Sequence, residues 1–156
     1  MDEQATTTSE QPGRDSIVHI PEGMLGFSRL TRYVIGEDER LRPLLWLQCL
    51  DDESLAFPVV DPRLINPDYI HLLPTGELAK LRIRSRSELL VLAVAILRPA
   101  PGQSSVNLKA PLLINHATMI GRQIILEEPR AAIRTLLPEL KPSALSATAS
   151  SQPVVR

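Results

Sequence analysis

The chain has few cysteines, few aromatic residues and no long apolar run. The shortage of cysteine and the shortness of the apolar runs each exclude a class of protein. The single cysteine, Cys49, excludes an internal disulfide framework and any multi-cysteine metal site. The longest apolar run, residues 89–97, is much shorter than the roughly 20 residues that span a bilayer. The start, MDEQATTTSEQPG, is polar and acidic, unlike a secretory signal or a transit peptide. We therefore expect a cytoplasmic protein that does not contact a membrane.

A strong charge of either sign is also lacking. The formal net charge of −1 provides no overall attraction for nucleic acid. The 14 prolines are about twice the average usage and argue against an all-helical fold. The 156 residues suit one domain with an ordinary core. Because both ends lack apolar periodicity, we predict a disordered extension over residues 1–14, an ordered domain over 15–141 and a disordered tail over 142–156.

Short apolar segments separated by turn residues predict strands along most of this domain. The predicted strands cover residues 16–20, 30–35, 44–50 and 55–60. Residues 87–97 are ambiguous, since Ser85 and Glu88 match a helix capping box, but the β-branched residues and Pro99 favour a buried strand. The proline-rich stretch 62–76 predicts a loop around a short extended piece at 69–73, and residues 76–80 a single helical turn. Residues 127–140 predict a short C-terminal helix, with Pro129 in its first turn.

Residues 106–126, VNLKAPLLINHATMIGRQIIL, are the most informative stretch. Runs of branched apolar residues favour two buried strands, while Pro111 removes a backbone donor and Gly121 weakens a strand ladder. The stretch has neither a metal-ligand spacing nor a phosphate-binding loop. It indicates a binding scaffold within a mainly β, small antiparallel β-barrel-like single domain that ends in a short C-terminal helix.

Residues that could support catalysis or bind a metal are present but scattered. His19, His71 and His116 are far apart in sequence, without a further histidine or cysteine at ligand spacing. Cys49 alternates with leucines in a predicted strand, so we interpret it as a buried, unreactive thiol. The carboxylates that could form an acid–base pair occupy predicted turns, where solvated turn residues are the simpler interpretation; they are Asp51, Asp52, Glu53 and Asp61. We expect no enzyme activity, no metal and no cofactor.

A basic stretch at residues 80–86 alternates charged and apolar residues, as a strand with one basic face would. The basic residues are Lys80, Arg82, Arg84 and Arg86. Such a face could protect an edge strand from aggregation, bind an acidic protein or contact RNA phosphates. No aromatic residue interleaves with it to stack on bases, so a solvated or edge-strand face is the simpler interpretation and an acidic protein partner comes next. RNA binding through this face is the alternative hypothesis for the function.

Three blocks taken together resemble the family of flagellar assembly factor FliW. They are GMLGFSRLTRYVI at 23–35, LLWLQCLDDESLAFPVVDP at 44–62 and the 106–126 stretch. The positions that fit the family pattern are Gly23, Gly26, Phe27, Trp46, Leu47, Gln48, Ala56, Phe57, Asp61, Pro62, Asn107, Leu108, Ala110, Pro111, Asn115, Gly121 and Gln123. The chain departs from that pattern where Leu44 or Leu45 replaces an aromatic residue and Ala132 replaces a tyrosine.

The resemblance implies a non-enzymatic, cytoplasmic protein that binds flagellin and the RNA-binding translational regulator CsrA. By binding CsrA it would relieve repression of flagellin translation, and flagellin would compete for it. The implied partners are proteins, without direct contact to nucleic acid, and the protein is expected to be a monomer. Because CsrA is basic in the family picture, we predict its contact at Asp51, Asp52, Glu53 and Asp61. For a flagellin helix we predict a groove beside the 106–126 pair, near Asn107, Leu108, Pro111 and Asn115.

Overall fold

Short strands close into a barrel in the computed structural model, which describes residues 16–132 and 134–137. Both predicted disordered ends lie outside the described residues. The strands are β1 (Ile17–His19), β2 (Arg32–Glu37), β3 (Leu45–Cys49), β4 (Ala56–Val60), β5 (Leu89–Ile96), β6 (Ser105–Val106), β7 (Leu112–Asn115), β8 (Ile120–Gln123) and β9 (Thr135–Leu136). The α-helix α1 (Thr75–Lys80) matches the helical turn predicted over residues 76–80.

The ring runs through β4, β3, β2, β1, β8, β7 and β5, and it closes where β5 pairs with β4. The closing register places Val59 opposite Val94 and Val60 opposite Ala93. The prediction of a mainly β, barrel-like fold is confirmed. One junction is not antiparallel, since β1 and β8 pair in parallel through His19 and Ile120. β6 and β9 form a small extension beside β5.

Two apolar cores lie on opposite sides of the barrel wall. The inner core includes residues of six ring strands, so it fills the barrel; its members from these strands are Val18, Tyr33, Leu47, Cys49, Phe57, Val59, Leu92, Leu112 and Ile114. The outer core packs the other face of β5 and β7 against the segment between β4 and β5; its members include Tyr69, Leu73, Leu81, Val91, Ala93, Ala95 and Leu113. Burial on both faces explains why β5 reads as a continuous apolar run.

Two segments predicted as extended are not strands. Residues 69–73 form a 3₁₀ turn, Tyr69–Leu72, whose buried tyrosine donates its hydroxyl proton to the Leu108 carbonyl. The basic stretch 80–86 contains the end of α1, a left-handed residue at Arg82 (φ 58°) and the start of a 3₁₀ turn, Arg86–Glu88. The cause is tertiary, because Asn115 Nδ2 donates to the carbonyls of Leu81 (2.8 Å) and Arg82 (3.4 Å) and holds them in a turn.

The predicted C-terminal helix is wrong for the part of it that the structure describes, residues 127–132 and 134–137. Residues Thr135–Leu136 form β9, which pairs with β6. The backbone groups that a helix would use internally bind other segments: the Ala132 carbonyl accepts from Leu108 N, and Leu137 N donates to the Ser104 carbonyl. Residues 138–140 of the prediction lie outside the described part.

Candidate partner-binding surfaces

The loop after β3 contains three of the four carboxylates that the sequence assigns to a partner. Asp51 Oδ2 accepts from the backbone N–H groups of Thr31 (2.9 Å) and Arg32 (3.0 Å). Asp51 Oδ1 lies 2.9 Å from both Nε and Nη2 of Arg32. The Thr31 N–H, with these further donors, holds the pKa of Asp51 below its usual range. Asp51 therefore ties this loop to the start of β2, and Arg32 neutralises its charge.

The side chains of Asp52 and Glu53 differ in their hydrogen bonding. Asp52 Oδ1 accepts from the Ser54 hydroxyl (2.6 Å) and the Ser54 N–H (3.0 Å), which together lower the Asp52 pKa. Gln48 Nε2 donates to the Glu53 carbonyl (3.2 Å) and so holds the loop backbone. The Glu53 side chain is exposed and has no bonding partner within residues 16–132 and 134–137. Glu53 is thus the most accessible negative charge of the loop.

Asp61 does not join this loop. It follows β4, whose five residues separate it from the loop by roughly 16 Å at about 3.3 Å per strand residue. Its Oδ1 accepts from Arg63 N (2.9 Å) and begins the 3₁₀ turn Pro62–Leu64, and its Oδ2 lies 2.6 Å from Arg63 Nη2. The four predicted acidic residues therefore form no single patch, and two of them are paired with arginines.

Of the residues predicted to border a flagellin groove, only Asn115 belongs to a strand of the ring, whereas Asn107, Leu108 and Pro111 lie between β6 and β7. Leu108, Pro111 and Asn115 are buried, and Asn107 is half-buried. Asn107 Oδ1 accepts from Lys109 N (2.9 Å), while Asn115 Oδ1 accepts from Ala117 N (2.9 Å) and Thr118 N (3.3 Å). These side chains position turns, and their assignment to a partner stays a prediction.

Gln123 joins two of the three family-like blocks. Its Oε1 accepts from Leu25 N (2.7 Å) in the first block, and its Nε2 donates to the Ala110 carbonyl (3.0 Å) in the third. Nearby, Arg122 Nε lies 3.2 Å from Glu77 Oε1 and connects β8 to α1. Sequence reasoning recognised Gln123 as part of the pattern but could not assign this bridging role, because the partners are backbone groups.

A groove that sequence reasoning missed lies between the turn Tyr69–Leu72, α1 and residues 83–89. It has a volume of about 330 Å³ and an apolar floor, with Arg84 and Arg86 among its lining residues. It lies next to the end of β7, since Leu89 pairs with Asn115 across the sheet. The alternation of charged and apolar residues predicted that these arginines lie on one face of a strand, but residues 80–86 do not form a strand.

Replacing Asp51 by asparagine is expected to lower the free energy of unfolding by about 1 kcal/mol at pH 7, because a neutral amide accepts more weakly from Thr31 N and Arg32. Because folding lowers the pKa of Asp51, its charged carboxylate stabilises the folded protein at pH values above the unfolded-state pKa of about 3.9. This stabilisation is lost as the pH falls through the folded-state pKa of Asp51. The two proteins should therefore converge in acid. Urea denaturation between pH 7 and 3 measures this, with Glu53→Gln as the unaffected control; a difference that persists in acid would contradict it.

Residues 16–132 and 134–137 contain no group of three or more His, Cys, Asp or Glu side chains arranged to hold a metal ion. In that part of the chain, no helix has the length and apolarity that crossing a membrane requires. Cys49 is buried, as predicted.

Comparison with known proteins supports one family throughout. A family model described as FliW protein matches residues 3–137. The flagellar assembly factor FliW of Geotalea uraniireducens (strain Rf4) is 38% identical over 118 residues, which cover 76% of this chain and 72% of the relative. The flagellar assembly factor FliW of Thermotoga neapolitana is 36% identical over 126 residues, which cover 80% of this chain and 85% of the relative.

A solved structure agrees at the level of the fold. The crystal structure of a flagellar assembly factor FliW superimposes with a TM-score of 0.74 at 24% identity, covering 83% of this chain and 92% of the other. The family resemblance seen in the sequence is therefore confirmed. The chain belongs to the FliW family of flagellar assembly factors.

Proposed function

We propose that this protein binds flagellin and the translational regulator CsrA in the cytoplasm, that the two partners exclude each other, and that it catalyses no reaction. The observation that carries the proposal is the match to the FliW family over residues 3–137. Two of the three family-like blocks, the first and the third, are also joined physically, since Gln123 binds both Leu25 and Ala110.

Mutual exclusion would make the protein a switch in flagellin synthesis. While it holds CsrA, flagellin mRNA is free to be translated; when unexported flagellin accumulates and occupies it, CsrA is released and translation falls. A coupling of this kind requires only that binding of one partner lowers the affinity for the other. It needs no chemical step.

The loop after β3 supports a contact for the basic partner. Asp51 and Asp61 are paired with Arg32 and Arg63, so the accessible negative charge belongs to Asp52 and, above all, Glu53. An exposed charge at the rim of an interface acts mainly on the association rate. The proposed CsrA contact is therefore this loop, with Asp61 outside it.

Surface plasmon resonance with the immobilised full-length chain tests the proposal. We expect host CsrA and monomeric host flagellin each to bind at micromolar concentration or below, and flagellin to prevent CsrA binding. Glu53→Lys should slow CsrA association several-fold at low salt, because it replaces an attractive charge by a repulsive one. Glu127→Lys is the matched control, since Glu127 is also exposed. Binding of neither partner would overturn the proposed function, and an unchanged rate for Glu53→Lys would refute the loop as the CsrA contact.

A further inference from the structure

The groove defined by the turn Tyr69–Leu72, α1 and residues 83–89 combines an apolar floor with a basic rim. The floor is made by Ile70, Leu73, Leu78, Ile83 and Leu89. Leu73 is buried, whereas the other four side chains remain half-exposed. The volume of about 330 Å³ is at the low end of the roughly 300–1,000 Å³ found for ligand pockets, so the groove can take a few side chains.

The rim carries positive charge that the chain itself does not neutralise. Arg84 and Arg86 are exposed, and neither guanidinium has a carboxylate within 4.0 Å among residues 16–132 and 134–137. Three arginines elsewhere, Arg40, Arg63 and Arg130, each bind a carboxylate two residues before them, so they do not offer a comparable free charge. The carboxylate of Glu88, two residues after Arg86, accepts instead from the backbone N–H of Arg84 at 2.8 Å.

The groove walls are held in place without a partner. Asn115 binds the carbonyls of Leu81 and Arg82, and Ile83 N donates to the Leu78 carbonyl at 3.0 Å. Glu77 Oε1 also lies 3.2 Å from Arg122 Nε, which adds an electrostatic contact between α1 and β8. A preformed groove reduces the ordering cost of binding, so a small apolar floor can contribute usefully to affinity.

We propose that this groove receives an acidic, amphipathic segment of flagellin, an assignment that rests on the proposed function. Apolar side chains of the segment enter the floor, and its carboxylates face Arg84 and Arg86, as in helix-in-groove recognition. CsrA, which the family resemblance implies to be basic, is repelled by the same rim. Among the described lining residues the one aromatic ring is that of His71, so the groove has no Phe, Tyr or Trp on which single-stranded RNA could stack.

The groove lies near the place where sequence reasoning expected a flagellin contact. Asn115, one of the residues predicted to border that contact, is buried, but it holds the Leu81 and Arg82 carbonyls beside the groove. Its contribution to partner binding is therefore to position the groove.

Isothermal titration of monomeric host flagellin into the full-length chain tests the assignment. The variant Arg84→Glu/Arg86→Glu should bind flagellin about tenfold or more weakly, with no loss of affinity for CsrA. The control variant, Arg98→Glu/Arg134→Glu, applies the same charge change at two exposed positions outside the groove lining. Thermal unfolding of both variants checks that the fold is kept, and Ile83→Ser, which changes the floor without changing charge, should also weaken flagellin binding.

The possible outcomes separate the two proposals. If the wild-type chain binds neither flagellin nor CsrA, the proposed function fails. If the wild-type chain binds flagellin and both groove variants bind it equally well, the groove assignment alone is overturned. If the wild-type chain retards a single-stranded RNA in a gel, Arg84→Glu/Arg86→Glu abolishes that shift and flagellin binding is unaffected, the groove is an RNA site and the assignment is also overturned.

Discussion

Replacing Gly23 by alanine should lower the free energy of unfolding by about 3 kcal/mol, one of the largest effects expected for a single added methyl group here. Gly23 has a φ of +69°, a left-handed conformation that costs other residues about 1–2 kcal/mol. A Cβ at this position would lie 2.3 Å from the Phe27 carbonyl oxygen and 2.7 Å from Ser28 Cα. Both are backbone atoms, so the overlap can be relieved only by opening the turn.

The consequence of opening this turn extends into the barrel. Gly23 N donates to the Ile20 carbonyl at 2.8 Å, and the turn brings Phe27 edge-on to Phe57, with 5.5 Å between ring centroids. Phe57 belongs to the inner core. Displacing the turn therefore removes an aromatic contact from the barrel as well as straining the backbone.

Two other glycines provide controls in the same urea denaturation experiment. Gly26 shares the left-handed backbone (φ +87°) but a Cβ there would meet no atom within 4 Å, so Gly26→Ala isolates the conformational cost of about 1 kcal/mol. Gly36 lies in β2 with open space and no positive φ, so Gly36→Ala should be nearly neutral. If Gly23→Ala were no worse than Gly26→Ala, the close approach to Phe27 and Ser28 would not limit this position.

Replacing Asn115 by leucine is expected to cost about 3 kcal/mol, because the buried Leu81 carbonyl and the part-buried Ala117 N–H lose their partner. Asn115 is 2% exposed, and its Nδ2 donates to Leu81 O while its Oδ1 accepts from Ala117 N. Leucine fills a similar volume but bonds to neither group, and each unsatisfied buried group costs about 1–3 kcal/mol. Hydrogen exchange of the Ala117 amide should accelerate, which separates loss of this bond from a general loss of packing.

Asn107→Ala is the matched control for this prediction. Asn107 is only half-buried, and its side-chain oxygen accepts a hydrogen bond from the backbone N–H of Lys109. Losing this hydrogen bond should cost about 1 kcal/mol. Urea denaturation of the two variants should therefore rank Asn115→Leu well below Asn107→Ala in stability. Equal effects would mean that the bonds from Asn115 to Leu81 and Arg82 add nothing to the stability of the fold.

Much of the fold could be predicted because local patterns agree with tertiary burial. The runs over residues 89–97 and 112–114 are apolar and rich in branched side chains, and they form the strands Leu89–Ile96 and Leu112–Asn115, whose two faces pack against different cores. The capping-box pattern at Ser85 and Glu88 favoured a helix over the first of these runs. The run forms a strand instead, because Val91, Leu92 and Ala93 are all buried when it lies in the sheet.

The prediction failed where a distant group decides the backbone conformation. The alternating basic stretch becomes a turn because Asn115, 34 residues beyond Leu81, binds its carbonyl. Where the sequence predicts a C-terminal helix, residues Thr135–Leu136 form a strand because they pair with β6. The Leu108 N–H also donates to the Ala132 carbonyl, which a helix would use internally. A periodic pattern records local preference only, and it contains no information about such partners.

The sequence by itself determined the mainly β class, most of the strands and membership of the FliW family, since apolar spacing and the order of three blocks are properties of the chain alone. Only the tertiary structure decided what the polar residues do. It turned Asp51, Asn115 and Gln123 into ties between distant backbone groups, and it left Glu53, Arg84 and Arg86 available to partners. The physical reason is that a side chain is occupied or free according to which backbone groups folding brings within bonding distance.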